Sequence, residues 1–467
     1  MRTVIAGGTL VTADGASAVD VLIDDDKVAA LAAGASSISA QWRESADAVV
    51  DATGKYVLPG GIDAHTHMEM PFGGTTSADT FETGTRAAAW GGTTMIIDFA
   101  IQTKGSSLLA GMDAWQAKAD GVCAVDYSFH AIISDVTETS LKEMDVLVAQ
   151  GVTSFKLFMA YPGVFYATDK DILQAMDRAT SNGALIMLHA ENGIAIDAIV
   201  ASALARGQTD PIFHGLTRPA EMEGEAANRA IRLAQVTGAP LYIVHLSSAP
   251  ALAAVVEARD RGQNTFAETC PQYLFLSQDD MDRPGFEGAK FVCTPPLRPR
   301  EHQAALWRGL RTDDLSVVAT DHCPFCFAEQ KELGRDDFTK IPNGLPGVEN
   351  RMDLIYQGVV SGEISLARWV EVTSTNPAKM FGLHPRKGAV APGSDADIVI
   401  YDPAAEQTIS AATHHMAVDY SCYEGMQIKG RVETVFSRGR KIIGDGAYTG
   451  EPGHGRFVPR RLSQALR

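Results

Sequence analysis

The sequence predicts an α/β protein: a (β/α)8 TIM barrel carrying a smaller β-sandwich that both chain ends build together. Two observations predict it. The middle of the chain alternates short apolar β runs with longer Ala-, Leu- and charge-rich segments suited to amphipathic helices. The two ends share a different texture, with β-branched runs separated by turn signals. With 467 residues, 45% of them hydrophobic, the chain is long enough to bury both cores.

The first fifty residues carry Thr3-Val4-Ile5, Val21-Leu22-Ile23 and Ala48-Val49-Val50, runs too short for two helical turns, so they read as a small antiparallel sheet. The same texture returns at 396–401 and 432–436. Between the ends, core strands are expected near 57–67, 93–99, 126–133, 154–159, 184–190, 241–247, 264–270 and 315–321. The seventh has the weakest signal. The expected domains are 1–54 and 381–447 for the two parts of the β domain, and 55–380 for the barrel. Residues 448–467 form a weakly structured tail suited to clasping a neighbouring subunit. The stretch Cys323 to Gly347 has no helical period and reads as an active-site loop.

Lys and Arg total 40 against 57 Asp and Glu, a formal charge of -17 with no dense basic run. This excludes nucleic acid and anionic membrane surfaces as expected partners. The opening MRTVIAGGTLV lacks the parts of a signal peptide, no apolar run reaches membrane-span length, and six cysteines make no disulfide framework. A soluble, cytoplasmic, reduced protein is expected.

Chemistry belongs at the carboxyl ends of barrel strands. His65 and His67 sit where the first strand ends, and residues i and i+2 of a strand share a face, so both imidazoles can reach one metal ion. Two polar residues at a loop start would look the same. Apolar runs also end in His189, in His245 and, at the eighth strand, in Asp321. Four strand ends presenting His, His, His and Asp around one mouth are poorly explained by packing. Lys156 lies among Phe155, Leu157 and Phe158 in the expected fourth strand. There a charged ammonium is costly unless it snorkels or pairs. The other reading is a neutral amine that takes up carbon dioxide and becomes an anionic carbamate able to bridge two metal ions.

The order HxH, Lys, His, His, Asp resembles the amidohydrolase superfamily with a carboxylated lysine. Pro59 to His67, Pro71-Phe72-Gly73-Gly74, Lys156 to Tyr161, His189-Ala190-Glu191-Asn192, Thr320 to Phe325 and Ile341 to Gly344 resemble its dihydropyrimidinase and hydantoinase branch over nearly the whole chain. The resemblance implies hydrolytic opening of cyclic ureides at two divalent ions, zinc by family habit, with carbon dioxide or bicarbonate supplying the carboxyl group of Lys156. It implies that His65, His67 and Asp321 hold the more buried ion, His189 and His245 the more exposed one, and N6-carboxylysine 156 both. Asp321 would shuttle the proton, Tyr161 would serve the oxyanion, and Thr294 and Asn343 would hold the imide through backbone groups. Phe72, Phe165 and Tyr166 would shape the pocket for the ring substituent. A homotetramer is implied as well.

Glu69 stands where a dihydroorotase carries an arginine, and an acid there would repel that substrate. Allantoinase is the nearer rival. A non-catalytic relative like the collapsin-response mediators would have lost metal ligands, whereas all six positions are filled here. Cys323 and Cys326 form a lone CxxC with no partner pair, and Cys326 stands where relatives have Asn. His322 is expected to point away from Asp321 in a structural role. His414 and His415 read as solvated loop, and Glu329-Gln330-Lys331-Glu332 as a solvated face.

Overall fold

A computed structural model describes residues 1–466. Eight parallel strands form the barrel: β1 (Gly61–Thr66), β2 (Thr93–Ile101), β3 (Asp126–Ile132), β4 (Ser154–Phe158), β5 (Leu185–His189), β6 (Leu241–Ile243), β7 (Thr265–Thr269) and β8 (Val317–Val318). They are hydrogen-bonded in that order. All eight are buried along their length, as parallel strands covered by helices on the outer face must be. Outer helices begin on side-chain caps the sequence supplies. Thr80, Ser107, Thr137 and Thr168 each accept a backbone N–H of the first turn, before helices Phe81–Trp90, Leu108–Ala119, Glu138–Ala149 and Asp169–Asn182.

The barrel is nearly closed. Strand β8 meets β1 through one bridge between Thr66 and His322, and the His67 N–H donates to the His322 carbonyl at 2.8 Å. Side chains hold the rest of this seam. The Asp63 carboxylate accepts from the Thr320 amide at 3.1 Å and its hydroxyl at 2.6 Å.

The run expected as one strand over 57–67 breaks in two. Tyr56–Pro59 pairs with Ile398–Thr408 and Thr9–Thr12 in the outer sheet, and only Gly61–Thr66 enters the barrel. Pro59 brings no N–H to a ladder, and Gly60 lies so close under Thr94 that a Cβ there would meet its hydroxyl at 2.1 Å. The two chain ends do build one sheet. It has ten strands and is mixed rather than purely antiparallel, because Arg2–Ala6 runs parallel to Ala48–Asp51. It covers a core of Ile5, Val21, Ile23, Val57, Ile398 and Phe436. A helix the short apolar runs did not announce, Ser37–Ser45, starts on the Ser36 hydroxyl. Among the described residues no helix is long and apolar enough to cross a membrane.

The C-terminal tail differs from its expectation. It is packed rather than weakly structured, and it straps its own barrel. Phe457 bridges to Tyr127, Val458 is fully buried, and the buried Arg460 donates to Ser128 Oγ at 3.0 Å, Ser154 Oγ at 2.9 Å and the Phe129 carbonyl. The turn and Pro signals of this segment hid a contact that only the tertiary structure supplies. Deleting residues 456–467 should therefore cost about 3 kcal/mol or more of unfolding free energy, from lost apolar burial and unpaired buried serines. Urea denaturation measures this, and an unshifted midpoint would show the strap to be incidental.

Candidate active site

Every strand end named from the sequence opens on one cleft. His67, Lys156, Tyr161, His189, His245, Thr294, Asp321 and Asn343 all line it, with His65 fully buried directly behind. The backbone helps to turn these residues inward. Tyr161, His245 and Asp321 lie just past their strands with φ of 60°, 38° and 53°. Left-handed non-glycine residues cost energy and are held only where the surroundings over-determine them.

Three donors converge. His65 Nε2 and His67 Nε2 lie 3.1 and 3.2 Å from Asp321 Oδ1, and 3.2 Å from each other. Ligands of one small dication at about 2.1 Å keep roughly this spacing. Phe99 lies under both rings, with centroids at 4.5 and 5.0 Å. Burial pulls His67 down to about 3 and His245 well below the usual imidazole value, so both are neutral and able to bind a metal. Burial alone would raise Asp321, but the histidines around it hold its carboxyl well below the usual range. Imidazoles and a carboxylate are the donor set of a divalent transition ion. His65, His67 and Asp321 form a group able to hold one. The buried Nδ1 of His245, without a partner among the described residues, also fits a ligand role better than a packing role.

Lys156 Nζ lies 3.1 Å from His65 Nε2 and over the rings of Phe99 and Phe158, at 4.3 and 4.9 Å. Among the described residues it has no salt-bridge partner, which removes the snorkelling and ion-pair readings. Burial lowers its pKa to about 8. His189 and His245 face each other with ring centroids 4.6 Å apart, and Glu191 Oε2 engages His189 Nε2 at 2.8 Å, leaving Nδ1 free. Burial pushes the Tyr161 phenol up, so it remains a proton donor at working pH. Thr294 and Asn343 flank it in the cleft.

Phe72 and Phe165 line the cleft as expected, together with Met70, Phe158 and Cys323, which were not expected there. Tyr166 does not line it and bridges through its backbone to Phe158. Glu69 turns away. Its carboxylate accepts from the Phe81 amide at 3.3 Å, so it caps a helix instead of facing substrate. His322 bonds Asp79 at 3.0 Å, in the structural role expected of it. Cys323 and Cys326 are free thiols. His414 and His415 lie away from the cleft, and His415 stacks on Trp90 at 4.0 Å instead of being free in solvent.

The sequence reading missed Glu268, on the weakly signalled strand β7. Fully buried, it bonds His65 Nδ1 and accepts from Tyr242 Oη at 2.9 Å and the His245 amide at 3.2 Å. It thus fixes the ring of one donor and the backbone of another. A buried acid inside the apolar run Thr265-Phe266-Ala267 was the available signal. Glu268→Gln should weaken metal affinity about 10- to 100-fold with the fold intact. Equilibrium dialysis against a zinc buffer measures this, and unchanged affinity would leave Glu268 a packing residue.

Comparison with known proteins agrees with this geometry. Residues 56–442 match the Amidohydrolase family. The chain is 65% identical over 465 residues to a D-hydantoinase of Streptomyces coelicolor, covering 100% of this chain and 99% of that one. It is 49% identical over 468 residues to a D-hydantoinase of Geobacillus stearothermophilus, covering 100% and 98%. The crystal structure of dihydropyrimidinase from Brevibacillus agri NCHU1002 superposes with a TM-score of 0.96 at 49% identity, over 99% of both chains. The chain therefore belongs to the D-hydantoinase and dihydropyrimidinase family of the amidohydrolases.

Proposed function

We propose that the protein hydrolyses cyclic ureides, opening 5-monosubstituted hydantoins and 5,6-dihydropyrimidines to N-carbamoyl amino acids with preference for the D series. The observation that carries this reading is one cleft holding the His65, His67 and Asp321 donors, the unpaired Lys156 amine and the Tyr161 phenol, in a chain 65% identical to a D-hydantoinase. Two divalent ions, zinc by family habit, would be held by His65, His67 and Asp321 and by His189 and His245, with Lys156 serving both. Such ions make water nucleophilic near neutral pH and polarise a carbonyl.

The Lys156 amine adds to carbon dioxide, forming an N–C bond and releasing a proton, which turns an awkward buried amine into an anionic ligand. Its lack of an acid partner and its lowered pKa support this. Asp321 is a carboxylate just past β8, at the cleft. It takes the proton from the attacking water and returns it to the ring nitrogen as the C–N bond breaks. Tyr161 donates to the oxygen that becomes negative. Thr294 and Asn343 hold the imide through their backbone groups, while Met70, Phe72, Phe158 and Phe165 receive the ring substituent.

A homotetramer is part of this reading, and the helix Gly193–Ala205 supports self-association. It is apolar nearly all round, yet buries only Gly193, Ile196 and Ala203 and leaves Ile194 55% exposed.

Side-by-side turnover of dihydrouracil, D- and L-5-substituted hydantoins, allantoin and dihydroorotate tests the substrate. Hydantoins or dihydrouracil should be preferred, and a preference for allantoin or dihydroorotate would sink the assignment. Elemental analysis should find close to two divalent ions per chain. Lys156→Ala should lose the second ion and at least about a hundredfold in kcat while keeping the fold. Full activity in that variant would remove the lysine from the mechanism.

A further inference from the structure

Lys331 falls in the run Glu329-Gln330-Lys331-Glu332, which reads as a solvated face, and the structure contradicts that reading. Its neighbours Glu329 and Glu332 are exposed or partly so, but Lys331 is fully buried. Its Nζ donates to three carbonyls: Val292 at 2.9 Å, Pro342 at 2.7 Å and Gly344 at 2.8 Å. An ammonium has three N–H donors, so this set is saturated without any carboxylate. The acceptors are not scattered. Val292 lies two residues before Thr294, and Pro342 and Gly344 flank Asn343.

Other ties of these two segments include the Tyr161 phenol, which reaches both Thr294 and Asn343. The Gly344 amide donates to the Val292 carbonyl at 3.0 Å, and His214 Nε2 meets the Cys293 carbonyl at 2.9 Å. Gly344 is pressed so tightly on Cys323 that a Cβ would meet that residue's carbonyl oxygen at 2.2 Å, which fixes the loop from the other side. Adjacent Gln330 points the opposite way, donating to Thr75 Oγ1 and the Thr76 carbonyl at 2.8 Å each. These belong to the hairpin that carries Phe72.

We infer that Lys331 is a positioning residue for substrate: its ammonium pins the Val292–Thr294 and Pro342–Gly344 segments at the spacing their backbone groups need to grip the imide. This rests on the proposed opening of cyclic ureides in this cleft. Lys331 touches neither the substrate space nor a metal-ligating residue, and it acts through main chain alone. Its loss should therefore weaken a grip that is equal in the ground and transition states, which raises KM and spares kcat.

The test is Lys331→Met, which keeps the apolar stem and removes the three donors, assayed on the metal-loaded full-length enzyme with unsubstituted hydantoin and a D-5-substituted hydantoin. KM should rise roughly tenfold or more for both substrates, with kcat within about twofold and bound metal unchanged. A residue that merely stabilised the fold would lower the melting temperature and the active fraction without moving KM. A KM less than threefold above that of the unaltered enzyme overturns the proposal. If Lys331→Met does not fold, Lys331→Gln, which retains two amide N–H groups, is judged by the same threshold. Failure of the underlying reading is distinguishable, because the unaltered enzyme would then open no cyclic ureide.

Discussion

The seam between β1 and β8 is the constraint on which the rest of the site depends. Strand β8 contributes only Val317 and Val318 to its ladder, so regular pairing cannot close the barrel there. A buried carboxylate closes it instead, with Asp63 gathering the Thr320 amide and hydroxyl and the His65 amide at 3.3 Å. Arg351, also fully buried, stands 3.9 Å away. The same contacts that close the barrel bring His65 and His67 on one strand against Asp321 on the other. A conventional ladder would bring the strands equally near but would consume the irregular backbone that turns Asp321 inward.

Most buried polar groups around the cleft find partners, as their desolvation demands, the Nδ1 atoms of His67 and His245 apart. Asp98 accepts from Thr66 Oγ1 and the Met68 amide at 2.8 Å each and from Trp115 Nε1 at 3.2 Å, fixing the chain on both sides of His67. Even so, burial pushes its carboxyl up to about 7. Glu268 fixes His65, Glu191 fixes His189, and Asp79 fixes His322. This outer layer of acids holds the inner imidazoles in single orientations. It also offsets the strain at Tyr161, His245 and Asp321, on the order of 1–3 kcal/mol each, by leaving their neighbours no other arrangement.

What the sequence made legible follows from which signals are local. An apolar run ending in His189, His245 or Asp321 carries both the strand and the direction of its last side chain within five residues. Lys156 is conspicuous for the same reason, as a cation inside a strand. Glu268 was missed because polar Thr265 and Thr269 bound its strand and weaken the apolar signal, and its partners lie on or just past β1 and β6. Lys331 was missed because its sequence neighbours are charged and exposed, and nothing local marks one lysine of that run as buried. The break at Gly60 and the strap at Phe457 to Arg460 are tertiary as well. They depend on Thr94 and on Ser128 and Ser154, residues remote in the chain.

Two of the buried lysines, Lys156 and Lys331, show how surroundings, not burial, decide what a side chain does. Burial lowers both, each to about 8. Lys331 meets three carbonyl oxygens, and every proton of its ammonium has an acceptor, so the charged form is the one the site is built around. Lys156 meets a histidine nitrogen and two aromatic faces, which offer one acceptor and diffuse negative charge where three N–H groups need partners. The amine is the better-matched form there, as the proposed carboxylation requires. Exchanging the two environments would exchange the roles. A lysine ringed by carbonyls cannot surrender its proton cheaply enough to add carbon dioxide, and one ringed by phenylalanines cannot hold two loops together.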